Sequence, residues 1–132
     1  MWNDFKEYVL LQCNKKPTKI AEIAIGKFSA VYEFLENQEN IEIIKTDINP
    51  ADSIVIRDDI TKPDLKIYEN IDIIYSIRPP GELQPYIYNL AKKINAMLII
   101  KTLTSEELNI NSKDIRLKNY RKASFYIRDK NE

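Results

Sequence analysis

Ile71-Asp72-Ile73-Ile74-Tyr75-Ser76-Ile77-Arg78-Pro79-Pro80-Gly81 decides the fold of this chain. An apolar, β-branched run ends in a polar pair, an arginine and two prolines. Leu83, Tyr86, Ile87, Leu90, Ala91 and Ile94 then recur at helical spacing, with Pro85 confined to the first turn, where a missing N–H costs nothing. A buried parallel strand delivers side chains to the rim of an open sheet in this way, and ligands of α/β folds sit on that rim.

The same alternation extends outward. Residues 19–25, 41–46, 54–57 and 96–101 read as strands, and 123–128 as a last, antiparallel candidate. Phe28, Val31, Tyr32 and Leu35 mark a helix after the first strand, and residues 3–13 a short opening helix capped by Asn3. Tyr88 falls off the apolar stripe of the long helix, while Cys13 reads as core packing. Thr104 to Glu107 predict a helical turn; no helix is evident after the third strand. Strand–helix–strand repeats of this length imply right-handed crossovers and a mostly parallel sheet with helices on both faces, a three-layer α/β domain. One domain is expected over residues 1–132: an opening helix (1–17), a core (18–101) and a C-terminal segment (102–132).

Composition narrows the chemistry. Two glycines rule out a glycine-rich phosphate loop, and the 22 isoleucines favour buried strands. With no histidine, Ser–His and Cys–His nucleophile pairs and histidine-ligated metals are excluded. Asp58-Asp59 could meet magnesium with the help of a phosphate, but adjacent acids are common on surface loops, and no metal is expected. Twenty bases balance twenty acids, so net charge indicates neither a nucleic-acid nor a membrane partner. The balance is uneven, however: residues 113–130 carry seven bases against two acids, a solvated surface or else a phosphate-backbone contact. One cysteine, no export signal and no apolar run of membrane length predict a cytoplasmic protein.

Candidate site residues lie at the carboxyl ends of the predicted strands. Glu22-Ile23-Ala24-Ile25-Gly26-Lys27-Phe28 resembles the first motif of class I S-adenosylmethionine-dependent methyltransferases, with Ala24 and Phe28 in place of the outer glycines. Asp47 ends the second strand about 20 residues later, where an acid binds ribose hydroxyls in nucleotide-binding folds, or simply caps a turn. Asp59 follows the third strand, where methyltransferase-like proteins place an acid on the adenine amino group; Asp58 reads as its outward neighbour. Ser76, Arg78 and Pro79 occupy the catalytic-loop position of methyltransferases acting on amino groups, without the aromatic residue that follows there. Arg78 either offers a carboxylate or phosphate site beside the helix start near Glu82, or pairs with Asp59 or Glu82.

The run from Glu22 through Asp47, Asp58-Asp59-Ile60-Thr61-x-Pro63 and Tyr75-Ser76-Ile77-Arg78-Pro79-Pro80-x-Glu82-Leu83-Gln84 is similar to a small uncharacterised archaeal family, family 0146. The resemblance covers about residues 18–107 and implies a Rossmann-like fold with methyltransferase-like strand order. It places S-adenosylmethionine or another adenine nucleoside against Glu22, Gly26, Asp47 and Asp59, with Ser76, Arg78 and Pro79 facing the reacting group. If the chain is an enzyme, methyl transfer is the first candidate activity. The alternative is a non-catalytic nucleotide-binding or regulatory module that keeps the scaffold.

Overall fold

A computed structural model describes residues 2–103 and 107–131. Helix α1 (Asn3–Leu11) precedes strand β1 (Thr18–Ile23), helix α2 (Ala30–Glu36), β2 (Ile41–Asp47) and the very short β3 (Ile56–Arg57). Strand β4 (Ile73–Ile77) leads through a 3-10 turn (Gly81–Leu83) into α3 (Gln84–Ile94), followed by β5 (Met97–Lys101) and the hairpin of β6 (Arg116–Tyr120) and β7 (Ala123–Arg128). The seven strands form one sheet in the order β3-β2-β1-β4-β5-β7-β6. β1 to β5 pair in parallel, and β7 inserts antiparallel between β5 and β6.

Strand alternation splits the core between two faces. Ile20, Ile73, Tyr75, Ile77, Ile99 and Phe125 point to the face covered by α1 and α2, where Phe5, Val9, Val31 and Leu35 pack. Ala21, Ile23, Ile74, Leu98 and Ile100 point to the other, covered by Ile87, Leu90 and Ala91 of α3 and by Tyr68 from the loop before β4. That loop supplies the cover that a third crossover helix would give.

Four local expectations change. The cap position of α1 is Trp2 rather than Asn3, with no side-chain cap bond. Cys13 lies past the end of α1 and only partly buried, packed against the first core face. On α3 the two tyrosines exchange roles: Tyr86 is 43% exposed and Tyr88 only 8%. The reason is the segment before β6. Leu108, Ile110 and Ile115 pack beside α3 and extend the second core to Tyr88, whose hydroxyl donates to Asp114 Oδ1 at 2.5 Å and lies 2.8 Å from Ser112 Oγ. Gln84, fully buried, fixes the same segment by accepting the Asn109 N–H at 2.6 Å. Finally, β6 is a strand that no period-2 pattern announced, since on this edge Arg116 and Lys118 alternate with an exposed Leu117 and with Asn119. The helical turn expected over 104–107 falls largely outside the described residues.

Candidate functional site

The strand order reverses direction between β1 and β4, and a pocket of about 420 Å³ opens there at the carboxyl ends of β1, β2, β3 and β4. It is floored by Ile23, Ile60, Ile77 and Leu83, and walled by the turn after β1, by Asp47, by Asp58-Asp59 and by Arg78. The turn owes its shape to two left-handed residues, Ala24 (φ 57°) and Gly26 (φ 59°). A Cβ at Gly26 would meet nothing within 4 Å, so the backbone there faces open space. Alanine at position 24 accepts the αL conformation at a cost of roughly 1–2 kcal/mol that glycine would avoid.

Asp47 ties this turn to β2. Its Oδ2 accepts the Gly26 N–H at 2.8 Å and its Oδ1 the Asn49 N–H at 2.9 Å. Asp47 therefore shapes the turn, and each of its oxygens keeps a further lone pair. Asp59 Oδ1 accepts the Thr61 hydroxyl at 2.7 Å and its N–H at 3.0 Å, which holds the carboxyl below its ordinary range and leaves Oδ2 uncommitted among the described residues. Asp58 also lines the pocket, contrary to its expected outward position. β3 ends at Arg57, so strand alternation no longer applies, and Asp58 Oδ2 accepts the Tyr68 hydroxyl at 2.8 Å.

Arg78 (φ 52°) stands at the rim. Among the described residues it forms no ion pair with Asp59 or Glu82. Its guanidinium instead lies 5.3 Å from the Trp2 ring centre and 5.5 Å from that of Phe28, and the two rings meet at 4.9 Å, tilted by 40°. Phe28 thus serves a purpose that the glycine of the motif could not: it seats the arginine. Trp2 was not legible as a site residue, since nothing in its local sequence ties it to residue 78.

Three expected site residues do not reach the pocket. Glu22 shares the face of Ile20, and its side chain enters the layer under α2 with 1% exposure. Parallel pairing sets it opposite Lys45 on β2 and Tyr75 on β4, and the Tyr75 hydroxyl donates to Glu22 Oε1 at 2.6 Å. Burial pushes the carboxyl up to about 8, against the lowering effects of Tyr75 and Lys45, so Glu22 is mainly a neutral acid at pH 7. Its Oε2 has no hydrogen-bond partner among the described residues. Ser76 is fully buried, and its hydroxyl donates to the Ile23 carbonyl at 2.6 Å, clamping β4 to the end of β1. Pro79 is buried as well, and Pro80 rather than Pro79 lines the pocket. Gly26, Asp47, Asp59 and Arg78 are the expected residues that converge.

The basic C-terminal segment is largely self-neutralised. Arg116 pairs with Asp129, Arg121 with Glu7, Arg128 with Asp114 and Lys130 with Asp72. Among the described residues, no cluster of three or more acids or cysteines could hold a metal ion. None of their helices is long and apolar enough to cross a membrane.

Comparison with known proteins agrees with the topology. A methyltransferase from Silicibacter pomeroyi described as an S-adenosyl-L-methionine methyl transferase superposes with a TM-score of 0.61 at 11% identity, covering 95% of this chain and 89% of that one. The antibiotic-resistance methyltransferase Kmr gives 0.61 at 6% identity, over 96% and 93%. At such identities the likeness is one of fold. In sequence, a UPF0146 protein of Methanothermobacter thermautotrophicus is 36% identical over 96% of this chain and 93% of its own length. One from Methanocaldococcus jannaschii is 43% identical over 85% and 84%. With the family model matching residues 2–130, the chain belongs to the uncharacterised protein family UPF0146 and has a Rossmann-like, methyltransferase-related fold.

Proposed function

We propose that the pocket between β1 and β4 binds S-adenosylmethionine or a related adenine nucleoside. The observation that carries this reading is the convergence of the open Gly26 turn with Asp47 and Asp59 on one pocket at the topological switch point. The donor set suits such a ligand. Asp47 offers an acceptor for ribose hydroxyls, Asp59 Oδ2 one for an amino group, and the apolar floor of Ile23, Ile60 and Leu83 a surface for a flat base. Arg78 offers a guanidinium to a carboxylate. A volume of about 420 Å³ falls in the range of small-molecule sites. Bound there, S-adenosylmethionine would supply an electrophilic methyl group. This chain would contribute orientation and exclusion of water.

One observation favours the non-catalytic alternative. Ser76, expected to face the reacting group, and Glu22, expected against the cofactor, are both buried and bonded within the sheet. Isothermal titration with S-adenosylmethionine, S-adenosylhomocysteine and adenine nucleotides, repeated on Asp47→Ala and Arg78→Ala, separates the readings. Cofactor binding lost in Asp47→Ala supports the proposal. Binding of phosphorylated nucleotides alone, lost in Arg78→Ala, supports a regulatory module, and no binding of any of them refutes both.

A further inference from the structure

A second pocket of about 340 Å³ lies on the same rim, on the far side of Arg78, at the ends of β4 and β5 and the start of β7. Among the described residues its walls carry three cations, Arg78, Lys101 and Lys122, and no acid. Its apolar surface is Trp2, Phe5, Leu103 and Ala123. We infer that this pocket binds a small flat molecule bearing a phosphate monoester, with the phosphate on Arg78, Lys101 and Lys122 and the flat body against Trp2. The inference goes beyond the nucleoside pocket and shares with it only Arg78.

Charge argues for the anion. Among the described residues, neither the Arg78 guanidinium nor the Lys122 ammonium has an acidic partner, whereas four of the other basic residues near the C-terminus do. Lys101 Nζ donates to the Ser124 carbonyl at 2.7 Å and retains two further N–H donors. Partial burial and the Arg78 charge both lower its affinity for a proton, a repulsion that a bound anion would relieve. Three converging cations match a dianion better than a single carboxylate, and the arginine fork suits phosphate oxygens.

Shape argues for a small ligand. Phe5 is buried and meets Trp2 edge to face at 5.8 Å, which holds the indole as a rigid wall. The room admits one ring system and its phosphate. A nucleic-acid chain would need a continuous basic track, and internal ion pairing interrupts the one this segment could offer.

Isothermal titration with phenyl phosphate, inorganic phosphate, benzyl alcohol and a short single-stranded RNA tests the assignment. Trp2, the single tryptophan, gives a parallel fluorescence signal. Phenyl phosphate is expected to bind about tenfold or more tightly than either inorganic phosphate or benzyl alcohol. Lys122→Gln should weaken it about fivefold and Arg78→Gln about tenfold, with unchanged circular dichroism. Lys122→Gln should leave S-adenosylhomocysteine affinity unaltered. Loss of S-adenosylhomocysteine binding with phenyl phosphate binding intact would count against the nucleoside pocket alone. Phenyl phosphate binding no tighter than inorganic phosphate, an adventitious ion only, would overturn the inference. So would indifference to Lys122→Gln, or RNA binding that outcompetes phenyl phosphate.

Discussion

Replacing Glu22 by glutamine should convert a pH-dependent protein into one whose stability ignores this site. Glu22 is 1% exposed, and burial raises its carboxyl from 4.5 to about 8 in the folded chain. The folded state therefore holds the proton more tightly than the unfolded one. Its contribution to stability is complete below about pH 4.5 and is lost as pH rises through about 8. At 1.36 kcal/mol per pH unit, the loss between pH 5 and pH 8 amounts to about 4 kcal/mol, a large share of the 5–15 kcal/mol typical of a domain. Glutamine has the shape of the protonated acid, and its carbonyl can accept the Tyr75 hydroxyl that now bonds Glu22 Oε1 at 2.6 Å. Urea unfolding of both proteins at pH 5, 7 and 9 reads the difference, because every other titrating group is shared. At pH 5 the two should agree within about 1 kcal/mol. At pH 9 the glutamine protein should be more stable by about 4 kcal/mol. A difference that stays constant from pH 5 to pH 9 would refute the reasoning and place a charged Glu22 in the folded state.

Other substitutions probe the remaining links. Asp114→Ala removes the carboxylate that Arg128 Nε donates to at 3.0 Å, leaving a guanidinium with 3% side-chain exposure on the Ala96 carbonyl alone. Because Asp114 itself is 43% exposed, water offsets part of the loss, and urea unfolding should show a cost of about 2 kcal/mol. Ser76→Ala should lower stability by about 1 kcal/mol while leaving S-adenosylhomocysteine affinity within about twofold, as titration calorimetry will show. A selective loss of binding would instead put Ser76 on the ligand. Gly26→Ala should cost roughly 1 kcal/mol in stability from its positive φ, and about tenfold in S-adenosylhomocysteine affinity from a methyl group entering the pocket. Equal affinities would show that no ligand approaches this backbone.

Most of the fold was legible because parallel strands are buried on both faces and read as dense isoleucine runs. The three-layer architecture and the antiparallel 123–128 strand followed from such local patterns. β6 did not: neither side of this edge strand is buried, so its alternation carries little signal. The Tyr86–Tyr88 exchange has a related cause. Periodicity marks a helix's apolar stripe, whereas its buried width depends on what packs beside it, here Leu108, Ile110 and Ile115.

The site was half legible. Asp47 is the last residue of β2, and Asp59 and Arg78 lie beyond strand ends, where the chain turns at the rim of the cleft. Glu22 and Ser76 lie within strands, where parity and register decide direction. Glu22 therefore meets Lys45 and Tyr75, and Ser76 meets the β1 backbone. The partnership of Arg78 with Trp2 and Phe28 joins three distant segments, and no local spacing encodes it.

The most direct test of the nucleoside pocket is an amide NMR titration with S-adenosylhomocysteine. The account predicts shifts concentrated at Ala24, Gly26, Asp47, Asp59 and Arg78, with the Gly26 amide among the largest because it donates to Asp47. Saturating ligand that leaves those amides unmoved, or that shifts residues of the β6–β7 hairpin instead, would contradict it.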